Sequence, residues 1–278
     1  MKRVLLVRSF LDSWLLLAGC AALAAAFTCL RVWVSSHIEI GAFIRFFSEN
    51  LKMLSGLLPA PIEDLATPLG RVAFSFEEFG LVLLLGLWSI ARGSDCLAGR
   101  IGDGTMEMLL AQPVGRLAVL STHTAVTLLG VIAIAGAAWC GIGAGLHFSK
   151  FAEPPPLGAV TPGILNFLGL GVFVTGAATL VSALCRARAT AVGLVIGFYV
   201  IEIAVMVVSR MVAGLDWMKW VTILSAYEPT MLTLAIDRDP AENWPILWQY
   251  NGLLLGLGSL LWAIAARVFC RRDVPAPL

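Results

Sequence analysis

Apolar positions in this chain gather into six long runs, near residues 13–34, 74–91, 117–146, 164–184, 189–208 and 246–269. At about 20 residues apiece, each is long enough to cross about 30 Å of hydrocarbon. Lipid offers a backbone amide no partner, so each run must be helical. The pattern predicts an all-α, polytopic membrane protein with six transmembrane helices, in one domain over residues 1–278. The third run is longer than a crossing requires and holds Gly130, Gly136, Gly141, Gly143 and Gly145, which predicts a break or a short re-entrant piece near its outer end.

The segments between the runs carry a different pattern. Residues 1–12 interleave Lys2, Arg3 and Arg8 with Val4, Leu5, Val7, Phe10 and Leu11, as expected of a helix lying on the inner membrane surface. Over residues 41–58, Phe43, Ile44, Phe46, Phe47, Leu51, Leu54 and Leu58 fall on one side and Arg45, Ser48, Glu49, Lys52 and Ser55 on the other. That spacing predicts an interfacial helix, and Pro59, Pro61 and Pro68 then make the return to the membrane irregular. Residues 209–243, with Trp217, Trp220 and Tyr227, read as an external interfacial segment.

The stretch 94–116 is neither apolar throughout nor a plain turn. Gly99, Gly102 and Gly104 loosen its backbone, Asp103 or Thr105 is placed to cap a short helix, and Pro113 closes it. Met106, Leu109, Leu110 and Pro113 share one face, with Glu107 and Gln112 turned away. The helix is amphipathic and too short to span.

Composition agrees: 59% of the 278 residues are hydrophobic and 13% charged. A soluble domain carries about 25% charged residues. The net charge of +1 leaves no basic face for nucleic acid. With the N-terminus inside, the inner segments hold eleven lysines and arginines against five acids, and the outer ones eight against twelve. The positive-inside rule therefore places both termini, and the 94–116 loop, in the cytoplasm. Leu17-Ala18-Gly19-Cys20 has the form of a lipoprotein cleavage box, but Asp12 interrupts the run before it and the chain stays apolar beyond the cysteine, so an uncleaved first span is expected.

Candidate chemistry is sparse. Glu202 is the one acid deep in a span, which makes it either a pathway residue or a hydrogen-bonding tie between helices. Glu77 and Glu78 open the second span, but zinc chemistry would need histidine partners, and the chain has only His37, His123 and His147. They read as acids at headgroup level. Gly193 with Gly197, and Gly252 with Gly256, give small-residue faces suited to helix packing. The six cysteines form no Cys-x-x-Cys pair, so neither a metal site nor a disulfide is indicated. No Gly-x-x-x-x-Gly-Lys loop exists to hold ATP phosphates, and no Gly-x-Ser-x-Gly elbow to act as a nucleophile.

The run Gly102-Asp-Gly-Thr-Met-Glu-Met-Leu-Leu-Ala-Gln-Pro113, set between the second and third of six spans, resembles the inner loop of ABC-2 type permeases. The match is carried by Gly104, Thr105, Glu107, Leu109, Leu110 and Pro113, with methionines at 106 and 108 where leucine is common. It departs upstream, where Gly99-Arg100 replaces the usual acid and leaves Asp103 as the nearest one. The resemblance implies a non-enzymatic permease subunit of an ABC exporter in the bacterial inner membrane. It also implies a second, identical or homologous permease half, and a separate ATPase subunit that holds the ATP and Mg this chain lacks. Residues 104–112 would be the coupling helix to that ATPase. The alternatives are a secondary transporter, which needs ionisable residues in several spans, and an intramembrane enzyme, which needs a nucleophile or metal set.

Overall fold

The computed structural model describes residues 2–38, 58–212 and 214–272. The interfacial helix expected over 41–58 falls, but for its last residue, outside these. Helix α1 (Lys2–Leu11) precedes the first span, α2 (Trp14–His37). Two short helices, α3 (Ile62–Leu65) and α4 (Pro68–Ala73), lead through a 3-10 turn to α5 (Phe79–Ser94), one π-helical turn (Asp95–Gly99) and α6 (Arg100–Gly102). Next come α7 (Thr105–Leu110), α8 (Arg116–His147), α9 (Thr161–Leu184), α10 (Arg188–Met211), α11 (Pro229–Arg238) and α12 (Pro240–Arg271). Six stretches are long and apolar enough to cross a membrane: Trp14–His37, Pro68–Gly102, Arg116–His147, Leu157–Leu184, Arg188–Met211 and Pro240–Arg271. The described residues contain no strand.

The fourth span, α9, is the axis of the bundle. It buries Phe167, Leu170, Phe173 and Val174 in a core shared with Phe76, Leu81, Leu85, Trp88 and Ile134. The sixth span lies directly on it, because glycine meets glycine there. A Cβ on Gly176 would strike the Gly258 carbonyl, and one on Gly258 would come within 2.8 Å of the Val172 oxygen. With no hydrophobic drive between helices in lipid, such close approach is what holds them together.

The third span is unbroken from Arg116 to His147, contrary to the break or re-entrant piece that its glycines suggest. Two of those glycines are docking points. Gly141 and Gly145 press on the α2 backbone at Ala25 and Cys29, and the Thr28 hydroxyl donates to Ala138 O at 3.0 Å. Gly130 makes room for the Trp88 indole, whose N–H donates to Thr127 O at 2.8 Å. Glycine costs a helix about 1 kcal/mol relative to alanine. An unpaired backbone group in hydrocarbon costs several, so the helix survives.

The fifth span is attached differently. Of α10, Ala191, Val195 and Ser209 are buried, and most of the remaining side chains face outward. Among the described residues, nothing lies within 4 Å of a Cβ built at Gly193, Gly197, Gly252 or Gly256. These glycines therefore pack against no helix among the described residues.

The segment after α10 is only partly interfacial. Trp217 and Trp220 are exposed, as expected of membrane-surface anchors. The following α11 instead sinks Leu232, Leu234 and Ile236 among its neighbours.

Candidate functional site

Between the second and third spans, α7 follows Gly104, whose φ of 69° lies in the left-handed region that favours glycine. Neither Asp103 nor Thr105 caps the helix. The Thr105 hydroxyl turns back to the Arg100 carbonyl at 3.3 Å, so the chain reverses on glycine geometry rather than on a side-chain cap.

Met106 is fully buried in a pocket of Cys96, Leu97, Leu120, Ala183, Ala265, Ala266 and Phe269, and Ile101 and Leu110 lean on the same cluster. Leu109 is half-buried. Asp103, Thr105, Glu107, Met108, Gln112 and Pro113 are exposed. The apolar face expected over Met106, Leu109, Leu110 and Pro113 is thus divided: its centre fixes the helix to the second, third, fourth and sixth spans, and Pro113 turns outward. The free face carries Glu107 and Met108, the latter 73% exposed.

Charged residues brace the platform beneath. Asp95 lies 3.7 Å from Arg188 Nη1 and 3.9 Å from His123 Nε2, joining the second, fifth and third spans. Buried Arg92 donates to the Ser9 hydroxyl at 2.7 Å and so holds α1 to the second span. Arg116 donates to Phe269 O at 3.0 Å, and Arg272 to Ala183 O at 2.6 Å. Sequence reasoning singled out none of these bracing contacts. The available signals were the Arg92/Asp95 pair three residues apart and a lone histidine, His123, in an apolar run.

Acids at the opposite end of the bundle make ties between elements. Glu202 Oε2 accepts from the Thr222 hydroxyl at 2.8 Å and from Ile223 N–H at 2.7 Å, at the start of the 3-10 turn Ile223–Ala226. These two bonds tie the fifth span to the loop that follows it. Glu77 accepts from Thr230 N–H at 3.2 Å, at the head of α11, whereas Glu78 pairs with Arg31 of the first span. Glu228 pairs with Arg210 at 3.1 Å, and Asn166 links Ala226 O and Asn251 Oδ1. Burial pushes the Glu228 carboxyl above its ordinary range, with Arg210 and Lys219 opposing.

A family model described as ABC-2 family transporter protein matches residues 41–274. No curated protein matches the chain. Six membrane-crossing helices and a match over most of the length place the protein: it belongs to the ABC-2 family of transporter proteins and is a membrane-embedded permease component of an ABC transporter.

Proposed function

We propose that this permease is one half of an ATP-driven exporter, paired with a second copy or a homologous half, in the bacterial inner membrane with both termini cytoplasmic. A separate ATPase subunit holds ATP and Mg and bears on residues 103–113. The observation that carries this reading is the division of α7: Met106 anchors it in the span ends while Glu107 and Met108 stand free. A helix held from behind and open in front transmits a push. The outer faces of the fifth and sixth spans, with Gly193, Gly197, Gly252 and Gly256, are surfaces on which a second permease half packs.

The test is purification from membranes with the ATPase subunit, followed by ATPase assay in lipid vesicles. Met108→Asp and Leu109→Asp are expected to abolish stimulation of hydrolysis by the permease while leaving the chain folded. Retained stimulation in both variants, or no co-purifying ATPase, would sink the proposal.

A further inference from the structure

The second span does not reach the coupling segment as a plain α-helix. Between Ser94 and Arg100 it widens into a π-helical turn, Asp95–Gly99. In an α-helix the Ala98 N–H would donate to the Ser94 carbonyl, four residues back. Here the side chain of Ser182, from the fourth span, stands in that gap. Its hydroxyl donates to Ser94 O at 2.8 Å and accepts from Ala98 N–H at 2.9 Å and from Leu97 N–H at 3.3 Å. A side chain set into the backbone ladder is a recognised cause of a local helix deformation.

The surroundings make the insertion possible. One turn earlier Gly93 lies against Ala178, so the two helices approach closely enough for a serine to reach the backbone. Gly99 leaves room for the Asp95 carboxylate, which a Cβ would meet at 2.7 Å. Ser182 is itself fully buried on the bundle's central helix, so its position is fixed.

The turn also builds the pocket for α7. Cys96 and Leu97, both within it, line the cluster that receives Met106. Annealing the turn to regular α-helix would shift α6 and α7 by as much as one residue, about 100° of rotation and about 1.5 Å of rise. Met106 would leave its pocket.

We infer that Ser182 is a positioning residue for the coupling helix: its hydroxyl, set between the Ser94 carbonyl and the Ala98 amide, holds the π turn open and so fixes the setting at which α6 and α7 leave the second span. The inference rests on the proposed coupling role of residues 104–112.

The test compares S182A with S182T in lipid vesicles, with oxidation read on the permease alone, where Met108 is uncovered, and ATPase stimulation read after the ATPase subunit is added. Hydrogen peroxide oxidises methionines according to exposure, and Met108 at 73% exposed is a reference within the same helix for Met106 at 0%. In the parent chain Met106 should oxidise at least about tenfold more slowly than Met108. S182A should bring the two within about threefold and lower ATPase stimulation, while S182T, which keeps the hydroxyl, should restore both. An unchanged Met106 to Met108 ratio in S182A overturns the inference. So does a changed ratio with stimulation intact, when Met108→Asp abolishes stimulation. If Met108→Asp is equally without effect on stimulation, the coupling reading has failed and the inference falls with it.

Discussion

The fourth and fifth spans carry the same kind of sequence and are held in opposite ways. Both are 24-residue helices, and both contain glycines among large apolar residues. In the fourth, Gly169, Gly171 and Gly176 lie against Asn251, Val131 and Gly258, and the helix is buried among the second, third and sixth spans. In the fifth, Gly193 and Gly197 have no neighbour within 4 Å among the described residues. The spacing of small residues marks a surface able to pack. It does not say against what.

The largest expected effect lies in the buried pair. Gly258→Leu forces a side chain into the backbone of the fourth span and should destabilise the chain by about 3 kcal/mol or more, seen as lost accumulation in membranes and a lower unfolding temperature in detergent. Glu202→Leu should come next. It leaves the Thr222 hydroxyl and the Ile223 amide without their acceptor, at about 1–2 kcal/mol, whereas Glu202→Gln keeps a carbonyl oxygen there and should be tolerated. If both variants instead alter ATPase stimulation with stability intact, Glu202 belongs to the pathway and the structural tie is not its main role.

Gly193→Leu with Gly197→Leu should not destabilise the isolated chain, and the better helix propensity of leucine should raise its stability by up to about 1–2 kcal/mol. Cross-linking between permease copies in membranes should nevertheless fall. Undiminished cross-linking would move the pairing surface off the fifth span and blunt the contrast with the fourth.

The smallest effect concerns Glu228, which faces Arg210, Glu77 and Lys219 beside the C-terminal end of the fifth span. Its raised carboxyl pKa means that the fold favours the protonated form. That contribution is complete below the ordinary carboxylate range and is lost as pH rises through the raised value. Unfolding temperature followed from about pH 4 to pH 8 should show this decline in the parent chain and a flatter profile in Glu228→Gln.

The six spans were legible because hydrocarbon imposes one rule on every backbone group, and run length alone satisfies it. The short helix before Pro113 was legible from its spacing, yet its orientation was not. Its spacing set Met106 on the apolar face, but only the pocket formed by Leu120, Ala183 and Phe269 shows that this face is sunk among the span ends rather than turned outward. The expected break in the third span failed because a glycine signals either flexibility or close approach. Ala25 and Cys29, more than a hundred positions away, settle that choice. Glu202 stood out as a lone acid, but its partner lies in an irregular loop with no periodicity to read. The π turn leaves no local signal at all, since the serine beside it comes from another span.

The order in which the spans are made gives the α9–α12 contact a further meaning. During synthesis the fourth span enters the membrane well before the sixth, so its glycine face at Gly169 and Gly176 waits without the helix that covers it. The fifth span, with mean hydropathy 2.5 and little buried surface, is at ease in lipid alone and can insert while the fourth waits. The closing event of assembly is thus the arrival of the last helix. In detergent, a released chain ending at Asp239 is expected to be digested more readily than one carried through Arg271.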